Sequence, residues 1–131
     1  MYQLKTLVPI LPSPDIAQSL RFYSSLGFSQ AWLWSDQGTR IHDINATETI
    51  IYGGLDLPSE LHFNQLSDTH ILENTTLRIS VDGDIKAFYQ HCLELGCVHP
   101  NGKLEVKPWG RLEFAVLDPF GICVYFWQDL T

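Results

Sequence analysis

The stretch Lys107 to Gln128, KPWGRLEFAVLDPFGICVYFWQ, decides how this 131-residue chain is read. Pro108-Trp109-Gly110 reads as a bend and Arg111 to Leu117 as a strand. Asp118-Pro119-Phe120-Gly121 then reads as a turn, and Ile122 to Trp127 as the returning strand. Proline fixes φ and the closing glycine accepts positive φ, so this turn between two strand-like runs is a hairpin signal with a mechanism. The flanking Phe, Val, Ile, Tyr and Trp belong in paired strands that face a core or a cavity.

Upstream, Leu77 to Val81 reads as a strand. Asp84 to Leu95 reads as a helix with Ile85, Phe88, Tyr89 and Cys92 on one face and Gly96 as its stop. The same unit opens the chain. Leu4 to Leu11 is a strand, Ser13 caps a helix with Pro14 in its first position, and Ile16, Leu20 and Tyr23 share a face before Gly27. A shift of 69 residues lays Val8 on Leu77, Ile10 on Ile79, Asp15 on Asp84, Ile16 on Ile85, Leu26 on Leu95 and Gly27 on Gly96. Near the ends of the halves the shift becomes 63, so LHFNQ at Leu61 to Gln65 falls on VYFWQ at Val124 to Gln128, and His62 on Tyr125. Such self-similarity reads as an internal duplication.

Between these units, Phe28 to Trp34, Thr49 to Tyr52 and Glu60 to Gln65 read as strands. Gly53-Gly54 and Pro58 read as connections, Ser35 to Thr47 as a polar loop and Leu66 to Asn74 as a polar linker. The expectation is an α+β fold of two βαβββ modules in a single domain, 1–131. Module one covers 1–66, the linker 67–75 and module two 76–131.

Composition narrows the function classes. Hydrophobic residues make up 45% of the chain, and no apolar run approaches the roughly 18 to 20 residues of a membrane span. The start MYQLKT lacks signal-peptide regions, so a cytoplasmic protein with no membrane partner is expected. Cys92, Cys97 and Cys123 show no C-x-x-C spacing and read as reduced core thiols. A net charge of −7 without clustered Lys and Arg disfavours nucleic acid and favours cationic ligands. His42, His70, His91 and His99 show no metal-type spacing and read as surface residues. No nucleophile elbow, phosphate loop or dinucleotide glycine pattern occurs, so no catalytic residue and no cofactor are expected.

Several motifs coincide with a known pattern. They are Val8-Pro9-Ile10-Leu11 before Asp15, Phe22-Tyr23 before Leu26-Gly27-Phe28-Ser29, and Pro108-Trp109-Gly110-Arg111 followed by Glu113-Phe114-Ala115, Asp118-Pro119 and Gly121. Across its whole length the chain resembles the glyoxalase, bleomycin-resistance and extradiol-dioxygenase superfamily, and within it most resembles the bleomycin-resistance proteins. The resemblance implies that each module curls a mixed sheet into a half-barrel with a concave face. Enzymes of the superfamily hold a divalent metal there, at positions that would be Val8, His62, Leu77 and Tyr125 in this sequence. Only His62 is an ordinary ligand, so no metal is expected. A one-residue slip could substitute Glu60 or Glu113, but alternation is expected to turn these side chains to the opposite sheet face or to leave them without a partner on the first strands. For bleomycin-resistance proteins the resemblance implies a homodimer, often with an exchanged N-terminal strand, whose crevices sequester a bulky cationic glycopeptide antibiotic.

Trp32 and Trp34 are two apart and share a strand face. With Tyr52, His62, Trp109, Gly110, Arg111 and Tyr125 they form the expected ligand-binding set. The reading is non-catalytic sequestration of a planar or cationic aromatic small molecule. Its alternative is a metal-dependent lyase or dioxygenase with an atypical ligand set.

Overall fold

Asp15, not Ser13, starts the first helix. The computed structural model, which describes residues 1–130, places the Asp15 carboxylate 3.2 Å from the Gln18 N–H as the N-cap of α1 (Ile16–Ser25). Ser13 instead ends strand β1 (Ile10–Ser13), where its buried hydroxyl meets that of Ser19 at 2.6 Å. Pro14 therefore precedes the cap. The expected strand from Leu4 contracts to Ile10–Ser13, because Met1 to Pro9 forms no regular structure and Tyr2, Leu4 and Leu7 stand exposed.

The chain divides into two compact units, Met1–Ser67 and Asp68 onward. The first adds β2 (Ser29–Ser35), β3 (Arg40–Ile41), β4 (Ile50–Leu57) and β5 (Leu61–Gln65). Its sheet runs β1-β5-β4-β2-β3, with β1 parallel to β5 and the other pairs antiparallel. Helix α1 buries Ile16, Leu20 and Tyr23, and the sheet face carrying Leu11, Leu33 and Phe63 is buried too; Tyr23 and Phe63 rings lie 5.3 Å apart. Gly53-Gly54 does not break β4. A Cβ on Gly53 would stand 2.6 Å from Ile16 Cγ2, so glycine here lets the helix approach the sheet rather than making a turn.

The second unit holds α2 (Thr69–Glu73), β6 (Thr76–Ser80), α3 (Ile85–Leu95), β7 (Glu105–Val106), β8 (Arg111–Leu117) and β9 (Cys123–Asp129). Helix α2 occupies the expected linker, capped by Asp68, whose carboxylate accepts from the His70 and Ile71 N–H groups. Asp84 caps α3, and Gly96 ends it at φ 72°, where a Cβ is disfavoured. The sheet order β6-β9-β8-β7 repeats the β1-β5-β4-β2 order of the first unit, with β6 parallel to β9. Phe88 and Tyr89 pack on Phe114, and Phe88 on Phe126, at ring separations of 4.7 to 5.6 Å. The hairpin follows its sequence signal: Asp118 accepts from the Phe120 and Ile122 N–H groups, and Gly121 takes φ 99°. Both sheets are curved, open and mixed, an α+β architecture.

Register corrects one alignment. Ile10 lies beside His62, and Arg78 beside Tyr125. In the strands the two halves are thus one residue out of step with the helix alignment, because β1 and β6 reach their helices through connections of different length. Of the three free cysteines only Cys92 is buried; Cys97 and Cys123 are partly exposed. No helix among the described residues is long and apolar enough to cross a membrane.

Candidate ligand-binding faces

Each sheet has one face backed by its helix and one face open, and strand alternation assigns the side chains between them. In the first unit the row Trp32, Gly54, His62 and Ile10 and the row Trp34, Tyr52 and Asn64 lie on the open side. The expected Trp32, Trp34, Tyr52 and His62 therefore come together on one surface. Tyr52 Oη and His62 Nδ1 are 2.8 Å apart, and the His62 ring meets Trp32 and Tyr52 edge to face at 5.1 and 5.4 Å. His62 Nε2 is buried without a hydrogen-bond partner, its nearest acid being Glu60 at 3.8 Å. Burial, and then the Glu60 charge, hold the Tyr52 phenol above its usual range.

Trp32 and Trp34 differ in availability. Trp32 is 7% exposed; its Nε1–H donates to Asp56 at 2.9 Å, and the Arg40 guanidinium lies 4.5 Å above its ring. Arg40 also reaches Asp56 at 3.7 Å. The cation-binding face of this indole is thus taken by the chain's own arginine. Trp34, 39% exposed, carries no such cover.

In the second unit the open face carries Arg78, Glu105, Arg111, Glu113, Ala115, Cys123, Tyr125 and Trp127. Glu113 faces the same side as Tyr125, contrary to the expectation that alternation would turn it away, because Ala115 is the direct partner of Tyr125 and Glu113 lies two residues on. It has partners as well: Arg78 donates to its Oε1, and Trp109 Nε1–H donates to the same oxygen at 2.8 Å. Burial pushes the Glu113 carboxyl up, but these two hydrogen bonds and the charges of Arg78 and Lys107 outweigh it, so the group titrates below its usual range. A hydrogen bond with Cys123, then the Cys123 charge and burial, raise the Tyr125 phenol.

Trp109 stands in the bend and is 61% exposed. Gly110, at φ 80°, closes that bend with its N–H 3.0 Å from the Lys107 carbonyl, a backbone role. Arg111 stacks 3.6 Å over Trp127 and pairs with Asp129 at 3.1 Å. The sequence reading missed Arg40, Asp56, Arg78 and Trp127. Trp127 could have been found by carrying the alternation from Tyr125 two residues onward.

On the open faces strand register sets Ile10 beside His62 and Arg78 beside Tyr125. An alkyl group, an imidazole, a guanidinium and a phenol above its usual range do not fit a divalent ion. Among the described residues no three of His, Cys, Asp and Glu cluster as ligands elsewhere.

Trp32, Trp34 and Trp127 belong to these open sides, and Trp109, in its bend, hydrogen-bonds to Glu113 there. Phe63, Phe114 and Phe126 take the helix-backed sides. Residues 4–126 match the family model described as Glyoxalase/Bleomycin resistance protein/Dioxygenase superfamily. A bleomycin resistance protein of Geobacillus stearothermophilus is 30% identical over 129 residues, spanning 94% of this chain and 96% of the relative; one of Staphylococcus aureus matches with the same figures. Among solved structures, a bleomycin-binding protein complexed with bleomycin is similar at a TM-score of 0.68 and 22% identity, covering 97% of this chain and 100% of that one. The bleomycin resistance determinant encoded on transposon Tn5 is similar at a TM-score of 0.70 and 21% identity, covering 98% of this chain and 100% of that one. The chain belongs to the glyoxalase, bleomycin resistance protein and dioxygenase superfamily.

Proposed function

We propose that this protein sequesters a bleomycin-type glycopeptide antibiotic without transforming it. The observation that carries the reading is the segregation of aromatic residues: Trp32, Trp34 and Trp127 lie on open sheet faces and Trp109 in the bend beside one, while phenylalanine fills the helix-backed cores. Packing alone gives little reason to leave the indoles of Trp34 and Trp109 open to solvent. Kinship at 30% identity with proteins named for bleomycin resistance supports the choice of ligand.

Binding would use the uncovered indoles first. Trp109 and Trp34 offer planar surface for a heteroaromatic system, each stack contributing about 0.5 to 1.5 kcal/mol beyond area burial. A cationic tail would meet the uncovered Trp34, or displace Arg40 from Trp32, the first route costing less. The reading includes a cytoplasmic homodimer, supported by the exposed Tyr2, Leu4, Leu7 and Ile10 of the N-terminal arm, an apolar run a second copy could cover. Sedimentation equilibrium tests that part; a monomer at micromolar concentration rejects it. Titration with metal-free and copper-loaded bleomycin, followed by tryptophan fluorescence, tests the whole. Saturable quenching in the micromolar range is the expected result, and unsaturated linear quenching at high micromolar ligand contradicts it.

A further inference from the structure

The second unit contains a cavity of about 170 Å³ beside its open face. Its wall includes His99, Lys103, Lys107, Ala115, Cys123 and Tyr125. The chain is acidic overall and has only four lysines, yet two of them border this one cavity.

The polar groups of the wall are mainly donors. The Asn101 N–H donates to His99 Nδ1 at 3.0 Å, which leaves the imidazole hydrogen on Nε2 as a further donor. The Tyr125 hydroxyl is already engaged by Cys123. Lys107 is held by Glu105 at 2.6 Å, while Lys103 forms no ion pair among the described residues. The one carboxylate of the wall, Glu113, already meets Arg78 and Trp109. Ala115, the Cys123 thiol and the Tyr125 ring supply flat apolar surface. A spare imidazole N–H, an unpaired ammonium and a spent acceptor make a site for an anion. The small volume and flat walls limit what carries it.

We infer that this cavity is a subsite for a small carboxylate borne on a flat apolar body. It goes beyond the sequestration reading, whose ligand is chosen by charge of the opposite sign. Lys103 supplies the ion pair and His99 a hydrogen bond, and the ring lies against Ala115 and the Tyr125 ring.

Benzoate and benzamidine, alike in shape and opposite in charge, are the probes. Each is titrated into the full chain while the Gly102 and Ala115 amide resonances are followed. Benzoate is expected to shift them saturably and benzamidine not. Lys103→Glu is expected to weaken benzoate at least about tenfold, whereas Lys86→Glu, the same charge change on the exposed side of α3, leaves it within about twofold. Both lysines are exposed, so neither variant threatens the fold. Equal binding of the two probes, no saturation by benzoate, or equal loss in the two variants would each overturn the subsite. Bleomycin titrated separately keeps the readings apart: benzoate binding without bleomycin binding rejects only the antibiotic, and the reverse rejects only the subsite.

Discussion

Replacing Glu113 by Gln removes a charge while keeping the shape. In the native protein this carboxylate is 2% exposed and accepts hydrogen bonds from both Arg78 and Trp109. An amide still accepts, but two charge-assisted bonds become neutral ones, and its NH₂ group is turned toward donors. Hydrogen bonds to charged groups contribute roughly 1.5 to 3 kcal/mol and neutral ones about 0.5 to 1.5 kcal/mol. Arg78 is 44% exposed, so water recovers part of its loss. The net cost is about 1 to 3 kcal/mol, a fall in melting temperature of roughly 4 to 10 °C for a chain of this size. The pH dependence carries a sign. Glu113 titrates below its ordinary value of 4.5 in the folded state, so its contribution is complete above that value and is lost as pH falls through the folded value. Thermal unfolding followed by circular dichroism is the assay, run at neutral pH and at steps below 4.5. The gap between wild type and Glu113→Gln should be full at neutral pH and close on acidification. A variant within about 0.3 kcal/mol of wild type at neutral pH, or a gap that widens in acid, refutes the reasoning.

Other perturbations follow from the same geometry. Gly54→Val places a Cβ 2.6 Å from Trp32 Cζ2 and 2.9 Å from His62 Cδ2, so it should cost about 1 to 3 kcal/mol and displace Trp32 from Asp56, read as a shift in tryptophan emission. Alkylation by iodoacetamide at mildly alkaline pH should mark Cys123 well before Cys92, whose thiol burial, and then Cys97, push up to about 12; mass spectrometry that finds Cys92 modified first contradicts its placement. Asp56→Ala should free both Arg40 and the Trp32 Nε1–H, lowering stability by about 1 to 2 kcal/mol in denaturant unfolding.

The parts of the fold that were legible in the sequence are those written in local chemistry. Helix α3 has an aspartate cap, an apolar face and a glycine stop, and the Asp118 turn has its acceptor, proline and glycine in order. What escaped depends on contacts distant in the chain. Gly53 and Gly54 look like a turn until Ile16 and Trp32 are seen to occupy the space their side chains would take. Ser13 and Asp15 are both good caps, and only the pairing of β1 with β5, which draws Ser13 into the sheet, decides between them. The two residues of β7 carry too little pattern to be read. For the candidate site, alternation alone grouped Trp32 with Trp34, yet it could not reveal that Arg40 covers one of them. The same holds for Glu113, where a one-residue error in strand alignment hid the partner Arg78.

The central claim is that open, tryptophan-bearing faces bind a bleomycin-type antibiotic. The most direct test is the set of four indole Nε1–H resonances during a bleomycin titration. The account predicts saturable shifts, largest for Trp109 and Trp34 and smaller for Trp32 and Trp127 beneath their arginines, with Trp109→Ala weakening binding roughly three- to thirtyfold. Four unmoved indole resonances at high micromolar antibiotic, or unchanged affinity in Trp109→Ala, would contradict it.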